Sequence, residues 1–500
     1  MKFEDKTYIL NPCYQLKNDI HRVALFSKID IKKHASKNWH TFIHPIQAAM
    51  LSFFTHNRRL EENLRLLANF FSRDITYMEK IVSSYINNPE PIYTIWNNQT
   101  IYFPKNILTE IEENEDFHFL NLHPNSFICG KLDLGTKRLY SGPLLLTMML
   151  TNRCHTQCKY CYADTSTQVK KALPTTRILQ LIKEAAQLQV QQVNLMGGEI
   201  FLHKDWHLIM KELVKYNIAP EFISTKIPLT HEILSKLKDT GFKNIIQVTL
   251  DAFDNDILVE TLKVKRSYQT DILKGIQLLD KSGLNYQISS VITSYNCDRY
   301  ILTDLFRFLS TLKHLRDWRI TPVNNSITIE YHKFKHLKAP RQHIESIYEY
   351  LEEFILPVTK FPILLNKELL NKEFYCDKGG SAHFRGATCS ALNTHMFILP
   401  DGKVTICEQL YWNPRFIIGD VTDSTLKEVW NSPQALHLTE LSRNDIQKNS
   451  KCKSCLQFEK CFSYCNRCWA DIIKAYGSDS WDFPDPRCEH APQLKYNIGY

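Results

Sequence analysis

Two hydrophobic periods alternate along this chain. From residue 144 onward, short apolar runs of strand length at 144–150, 190–196, 221–225, 244–250, 287–292 and 318–321 are separated by stretches with apolar residues at helical spacing, such as 175–188. Such alternation predicts βα units on a parallel sheet, hence an α/β fold with a parallel barrel, or part of one, at its centre. Upstream, 8–10 and 22–27 read as short strands. Pro45 suits a first helical position, and 46–54, 60–71 and 78–86 carry helical spacing, with 101–103 as a closing strand. The acidic stretch 110–116 and the breakers Pro124 and Gly130 predict a linker from about 104 to 140. Downstream, apolar runs flank Pro400-Asp401-Gly402 within 396–406, which predicts a hairpin that returns the chain towards Cys389.

Length and composition narrow the class. Five hundred residues, 44% hydrophobic and 23% charged, predict two or three globular cores. No run approaches the roughly 18 apolar residues of a membrane span. The opening MKFEDKTYIL lacks a basic-then-apolar export pattern, so a cytoplasmic protein is expected. The net charge of +8 is spread without a basic run, which argues against nucleic acid or membrane as partner.

Of fifteen cysteines, three fall within 154–161 and nine within 376–488. In a cytosolic chain, such clustering reads as metal or redox ligands before disulfides. Cys154-x3-Cys158-x2-Cys161 offers three thiolates at the C-terminal end of a buried strand. A structural zinc site wants four protein ligands, whereas a four-iron cluster held by three keeps one iron open. His155, beside a ligand, is expected to line the loop.

This loop, with Tyr160 before the last cysteine, resembles that of the radical SAM enzymes. The resemblance implies a partial parallel (β/α)6 barrel over 141–345. It also implies a [4Fe-4S] cluster on Cys154, Cys158 and Cys161 whose open iron takes S-adenosylmethionine and yields a 5′-deoxyadenosyl radical. Gly197-Gly198-Glu199, one strand–helix–strand unit later, resembles the family's GGE motif, where glycines let backbone approach the ligand and the carboxylate meets its ammonium. Tyr160, Ser224, Thr249 and Asp251 are further expected cofactor contacts. Ser224-Thr225-Lys226 departs from the family's usual Thr-Asn-Gly, and Val248-Thr249-Leu250-Asp251 carries Thr for Ser.

Cys389-x12-Gly402-x4-Cys407 and Cys452-x2-Cys455-x5-Cys461-x3-Cys465, with a late Cys488, resemble the SPASM extension of radical SAM peptide and protein maturases. Gly419-Asp420-Val421 and 426–432 fit the same region. The resemblance implies a Cys-rich, loop-rich iron–sulfur domain over 376–495, joined by a bridging segment, 346–375. It would hold two auxiliary [4Fe-4S] clusters, one on Cys389, Cys407 and Cys465 with Cys376 as fourth ligand, the other on Cys452, Cys455, Cys461 and Cys488. Cys468 is left over, and Cys13, Cys129 and Cys297 read as core residues.

Strands followed by three helices over 1–103 resemble the winged-helix domain that many maturases use to hold a leader peptide by strand addition. The implied protein is a maturase of a ribosomally made precursor peptide, installing a thioether or carbon–carbon cross-link and drawing electrons from a reductant such as a flavodoxin or ferredoxin. A sulfatase-type maturase, a peptide epimerase needing a hydrogen-returning thiol, and a zinc or iron–sulfur scaffold or carrier without radical chemistry are the alternatives.

Overall fold

The computed structural model describes residues 6–27, 40–111, 119–127, 130–372, 389–462 and 467–500, and the chain divides into two units, 1–141 and 142–500.

In the first unit, β1 (Tyr8–Leu10), β2 (Tyr14–Asn18), β3 (Val23–Ser27) and β4 (His40–Ile43) precede three helices, Pro45–Ser52, Leu60–Phe71 and Ile75–Ser83. A hairpin of β5 (Ile92–Trp96) and β6 (Gln99–Phe103) and a last strand, β7 (Leu108–Glu110), follow. β2–β3–β4 form an antiparallel sheet, and β7 pairs with β1. The stretch expected to be a linker is therefore part of this unit. Its C-terminal portion is held by Arg22, fully buried, whose Nε donates to Asp19 Oδ2 (2.9 Å) and whose guanidinium caps the carbonyls of Thr136 and Arg138. The β5–β6 turn, Asn97-Asn98, takes φ of 45° and 61°, a local hairpin signal that the sequence reading passed over.

The second unit starts with β8 (Leu145–Met149), β9 (Gln192–Met196), β10 (Phe222–Thr225), β11 (Ile245–Thr249), β12 (Tyr286–Ile292) and β13 (Trp318–Pro322), with helices between successive strands. The expected strand–helix alternation is present, and every ladder among these six strands is parallel. The region expected to bridge the domains supplies β14 (Ile363–Leu365), which pairs parallel with β13. The expected hairpin is β15 (His395–Ile398) and β16 (Lys403–Thr405), with Gly402 at φ +90° in its turn, followed by β17 (Ile417–Asp420). β15 also pairs parallel with β8. The order β17–β16–β15–β8–β9 thus welds the cysteine-rich region onto the strand that leads into the first cysteine loop. One apolar core runs from Leu146 to Ile498, so the cysteine-rich segment is continuous with the βα region.

Among the described residues no helix is long and apolar enough to cross a membrane.

Removing one partner of a buried ion pair leaves the other uncompensated, at about 3–5 kcal/mol. Asp19→Ala is therefore expected to destabilise the first unit by about that much, seen in chemical denaturation as an earlier transition, while the iron bound by the second unit stays unchanged.

Candidate functional site: thiols at the strand ends

β8 ends at Met149, and the chain runs at once into the loop bearing Cys154, Cys158 and Cys161, all unpaired thiols and partly buried. Thr156 Oγ1 sits between two of them, 3.4 Å from Cys154 Sγ and 3.2 Å from Cys158 Sγ. The loop is anchored from outside by Gln157 N and Lys159 N, which donate to Leu262 O (2.8 Å) and Thr261 O (2.9 Å). Burial, with the other two thiols adding to it, pushes Cys161 up to about 11, and burial raises Cys158 as well. These thiols hold their protons until something positive replaces them.

β9 delivers Gly197-Gly198-Glu199 directly beneath this loop. Gly198 N donates to Thr151 O (2.7 Å) and Glu199 N to Arg153 O (2.8 Å). A Cβ on Gly197 would lie 2.7 Å from Thr151 O, and one on Gly198 would lie 2.2 Å from Arg153 O. The glycines thus let the strand end press against the cysteine loop itself, where the sequence reading had them admitting a ligand. Glu199, 3% exposed, turns its carboxylate to the end of β10 and accepts from Thr225 Oγ1 (2.9 Å) and Lys226 N (3.1 Å) through Oε2. Burial outweighs these donors and lifts the carboxyl to about 7.

A second polar group stands beside the thiols. Tyr160 donates to Asp251 Oδ2, and Lys226 Nζ donates to Tyr160 Oη (2.7 Å) and lies 3.5 Å from Asp251 Oδ2. Asp251 is fixed in turn by Val291 N on its Oδ1 (2.8 Å), and its carbonyl accepts from Asn296 Nδ2 (2.8 Å). Burial opposes the charge on Lys226, yet Asp251, Cys158 and Cys161 outweigh it and the ammonium is held above its usual range. Sequence reasoning missed Lys226 as a functional residue, although the Ser-Thr-Lys departure pointed at it. Ser224 does not join Glu199. It stands in register with Gln247 and Gln287 across β10, β11 and β12, and Gln287 Nε2 donates to Gln247 Oε1 (2.7 Å). Thr249, buried, shares the strand face of Gln247, since successive side chains alternate.

Further along the chain, the thiols gather in two places. Cys452, Cys455 and Cys461 all act on Cys488, which burial, with their help, pushes up to about 12. Arg467, buried, aims Nη2 at Cys461 Sγ (3.8 Å). Cys389 couples to Cys407, which the hairpin has returned to its side and which burial lifts to about 12. Cys468, left outside both expected sets, also lies within electrostatic reach of Cys389. Cys376, Cys465 and Cys129 lie outside the described residues. Cys13 and Cys297 are partly buried against the apolar cores.

The comparisons with known proteins agree with this geometry. The profile of the radical SAM superfamily matches residues 148–296, and that of the SPASM iron–sulfur cluster-binding domain matches 389–456. The chain thus carries a radical SAM domain and, C-terminal to it, a SPASM domain. Mycofactocin maturase MftC of Mycolicibacterium smegmatis is 23% identical over 70% of this chain and 84% of its own. The subtilosin biosynthesis protein AlbA of Bacillus subtilis is 23% identical over 65% of this chain and 67% of its own. The crystal structure of Streptococcus suis SuiB bound to the precursor peptide SuiA superposes with a TM-score of 0.60 at 16% identity, covering 96% of this chain and 99% of that one.

The donor set of the radical SAM–SPASM chain fits iron–sulfur clusters. Among the described residues, no three Cys, His, Asp or Glu side chains converge tightly enough for a single ion. Three thiols on one loop and further thiols gathered in two places are the donor type that caps the irons of such clusters.

Gly198→Ala is expected to lift the cysteine loop and cut bound iron in the reconstituted chain by roughly the four atoms of one cluster. Gly130→Ala, where nothing lies within 4 Å of the new Cβ, is the control and retains full iron.

Proposed function

We propose that this enzyme is a maturase of a ribosomally made peptide, in which Cys154, Cys158 and Cys161 hold a [4Fe-4S] cluster and Glu199 receives the ammonium of S-adenosylmethionine. The observation that carries this reading is the strapping of a three-thiol loop onto a buried carboxylate by two side-chain-free residues, within a chain whose cysteine-rich extension shares the same sheet. When bound, the cluster and S-adenosylmethionine supply a 5′-deoxyadenosyl radical, which takes a hydrogen atom from the peptide. The protein's own share is positional. Thr156 sets two thiols, Arg153 and Thr151 carbonyls tie the loop to β9, and Tyr160, Asp251 and Lys226 form a fixed polar wall beside it. Ser224, Gln247 and Thr249 offer hydroxyl and amide groups for the nucleoside from the neighbouring strands.

Two auxiliary clusters are proposed, and the grouping of the described thiols in two places supports that number. Cys452, Cys455, Cys461 and Cys488 would hold one. Cys389 and Cys407 would hold the other, with Cys465 and Cys376 as its remaining ligands and Cys468 as the close competitor for that role. A thioether or carbon–carbon cross-link is the expected product, the auxiliary clusters accepting the leftover electron, and a flavodoxin or ferredoxin in the cytoplasm is the expected reductant.

The first unit is proposed to hold the leader of the precursor. It carries a groove of about 570 Å3 lined by Ile46, Ala49, Phe70, Phe71 and Trp96, among others. Beside it, β5 pairs with β6 alone among the described strands and leaves Tyr93 and Ile95 64% and 76% exposed. An unpaired strand edge next to an apolar groove suits an extended peptide, with backbone hydrogen bonds giving affinity and the groove giving selectivity. Two of the relatives support a peptide substrate by their names, MftC as a maturase and AlbA as a bacteriocin biosynthesis protein, and SuiB was crystallised with its precursor peptide.

Three measurements test the chemistry and the partner. Reduction with dithionite is expected to release 5′-deoxyadenosine from S-adenosylmethionine, and Cys158→Ala to abolish it. Because the Glu199 carboxyl titrates at about 7 before the cofactor arrives, it is protonated at lower pH and must lose that proton to meet an ammonium. Affinity for S-adenosylmethionine should therefore fall about tenfold per pH unit below about 7, and Glu199→Gln should bind weakly with that pH dependence gone.

For the partner, a labelled precursor peptide, once one is found among the neighbouring reading frames, should bind the full chain. Ile95→Lys should weaken that binding about tenfold without changing peptide-free cleavage of S-adenosylmethionine. Peptide binding indifferent to Ile95 would place the leader elsewhere.

A further inference from the structure

Tyr411 combines two unfavourable features. Its φ is +35°, a region that bulky side chains avoid. The cause is local, since Leu410 N donates to Cys407 O (3.1 Å) and Asn413 N to Leu410 O (2.9 Å), winding 407–413 into successive tight turns. Glycine or asparagine would fit that bend with less strain. The side chain is also 2% exposed, and its hydroxyl has no hydrogen-bond partner among the described residues. Phenylalanine would fill the same space without burying an unpaired donor. Where strain and an unsatisfied buried group coincide, they mark a place where something other than polypeptide meets the side chain.

The surroundings say what that is. The ring packs in a small apolar cluster with Met149 at the end of β8, Ala163, Phe397 and Leu399, and Cys161 packs against the same cluster. Phe397 meets the ring edge-on at 6.2 Å, and Trp412 lies stacked at 6.3 Å. The ionisable groups within electrostatic reach are Tyr162, Cys161, Glu408 and Cys407, none of them hydrogen-bonded to it. Cys407 packs instead against the larger core, whereas Cys161 shares the cluster of Tyr411, so packing favours the first cysteine loop.

We propose that the Tyr411 hydroxyl donates a hydrogen bond to a sulfur on the Cys161 side of the cluster held by Cys154, Cys158 and Cys161. The inference rests on the radical SAM reading above. Inorganic sulfide and cysteinate sulfur accept such bonds, and each bond stabilises the more negative, reduced state, raising the cluster's potential. The SPASM segment thereby sets the redox poise of the first cluster through one residue, four positions after Cys407.

The test is an anaerobic redox titration of the full chain, reconstituted with iron and sulfide and followed by electron paramagnetic resonance. The first cluster is identified as the one whose signal responds to added S-adenosylmethionine. Tyr411→Phe is expected to bind as much iron as wild type and to move that cluster's midpoint to more negative potential, with the auxiliary midpoints unchanged. The metal-free variant should melt at or above the wild-type temperature, because it loses only an unpaired hydroxyl. Should Tyr411→Phe fail to hold iron, 3-fluorotyrosine at 411, a stronger donor, is expected to move the midpoint positive.

An unchanged midpoint in whichever replacement is titrated, a shift confined to an auxiliary cluster, or a shift that appears only with precursor peptide present overturns the proposal. Wild-type protein without a signal responsive to S-adenosylmethionine would instead overturn the reading on which it rests.

Discussion

Two backbone hydrogen bonds, from Gly198 N to Thr151 O and from Glu199 N to Arg153 O, tie the cysteine loop to the neighbouring strand, and they exist only because residues 197 and 198 have no side chain. Everything placed around the thiols is referenced to that strap. It fixes the loop's height above the sheet and brings Glu199 under it. It also aligns the loop with the end of β10, where Thr225 and Lys226 N orient the carboxylate. A loop able to drift by the width of a methyl group would lose the register between three thiols and one acid, and positioning is most of what a protein contributes to cofactor chemistry.

Burial makes the strap chemically useful. The thiols at Cys158 and Cys161 and the carboxyl of Glu199 are all pushed towards their neutral forms by the protein around them. Such groups are poised for cations, because iron or an ammonium restores the charge that burial penalises. Lys226 shows the opposite balance. Its burial is overcome by Asp251 together with Cys158 and Cys161, so one fixed positive charge stands beside the Asp251 carboxylate and the thiol loop.

Sheet pairing explains why the SPASM region belongs to the same machine. β15 adds to β8, and the apolar core passes without a break from the βα units to the last helices. The first cysteine loop therefore follows β8 while Cys389 and Cys407, more than two hundred residues later in sequence, flank the hairpin whose first strand pairs with it. Tyr411 lies in the apolar joint between them.

Much of this was legible in the sequence, and the reason is locality. Strand–helix alternation, the Asp401-Gly402 turn, the Cys154-x3-Cys158-x2-Cys161 loop and the Gly-Gly-Glu triplet are short-range patterns, each bound by backbone geometry or ligand spacing to one structure. The missed elements depend on distant partners. β7 gains its identity from β1, β14 from β13, and residues 104–140 look like a linker until Arg22 is seen to cap Thr136 and Arg138. The site divides along the same line. Spacing picked out the clustered cysteines as candidate metal ligands, and the resemblance to the radical SAM family named the candidate cofactor contacts. Only the tertiary structure decided that Ser224 lines up with Gln247 while Thr225 serves Glu199, that Lys226 stands over Tyr160, and that Tyr411 buries an unpaired hydroxyl beside Cys161. Burial and cross-strand register are properties of contacts between remote segments, and no local pattern of residues encodes them.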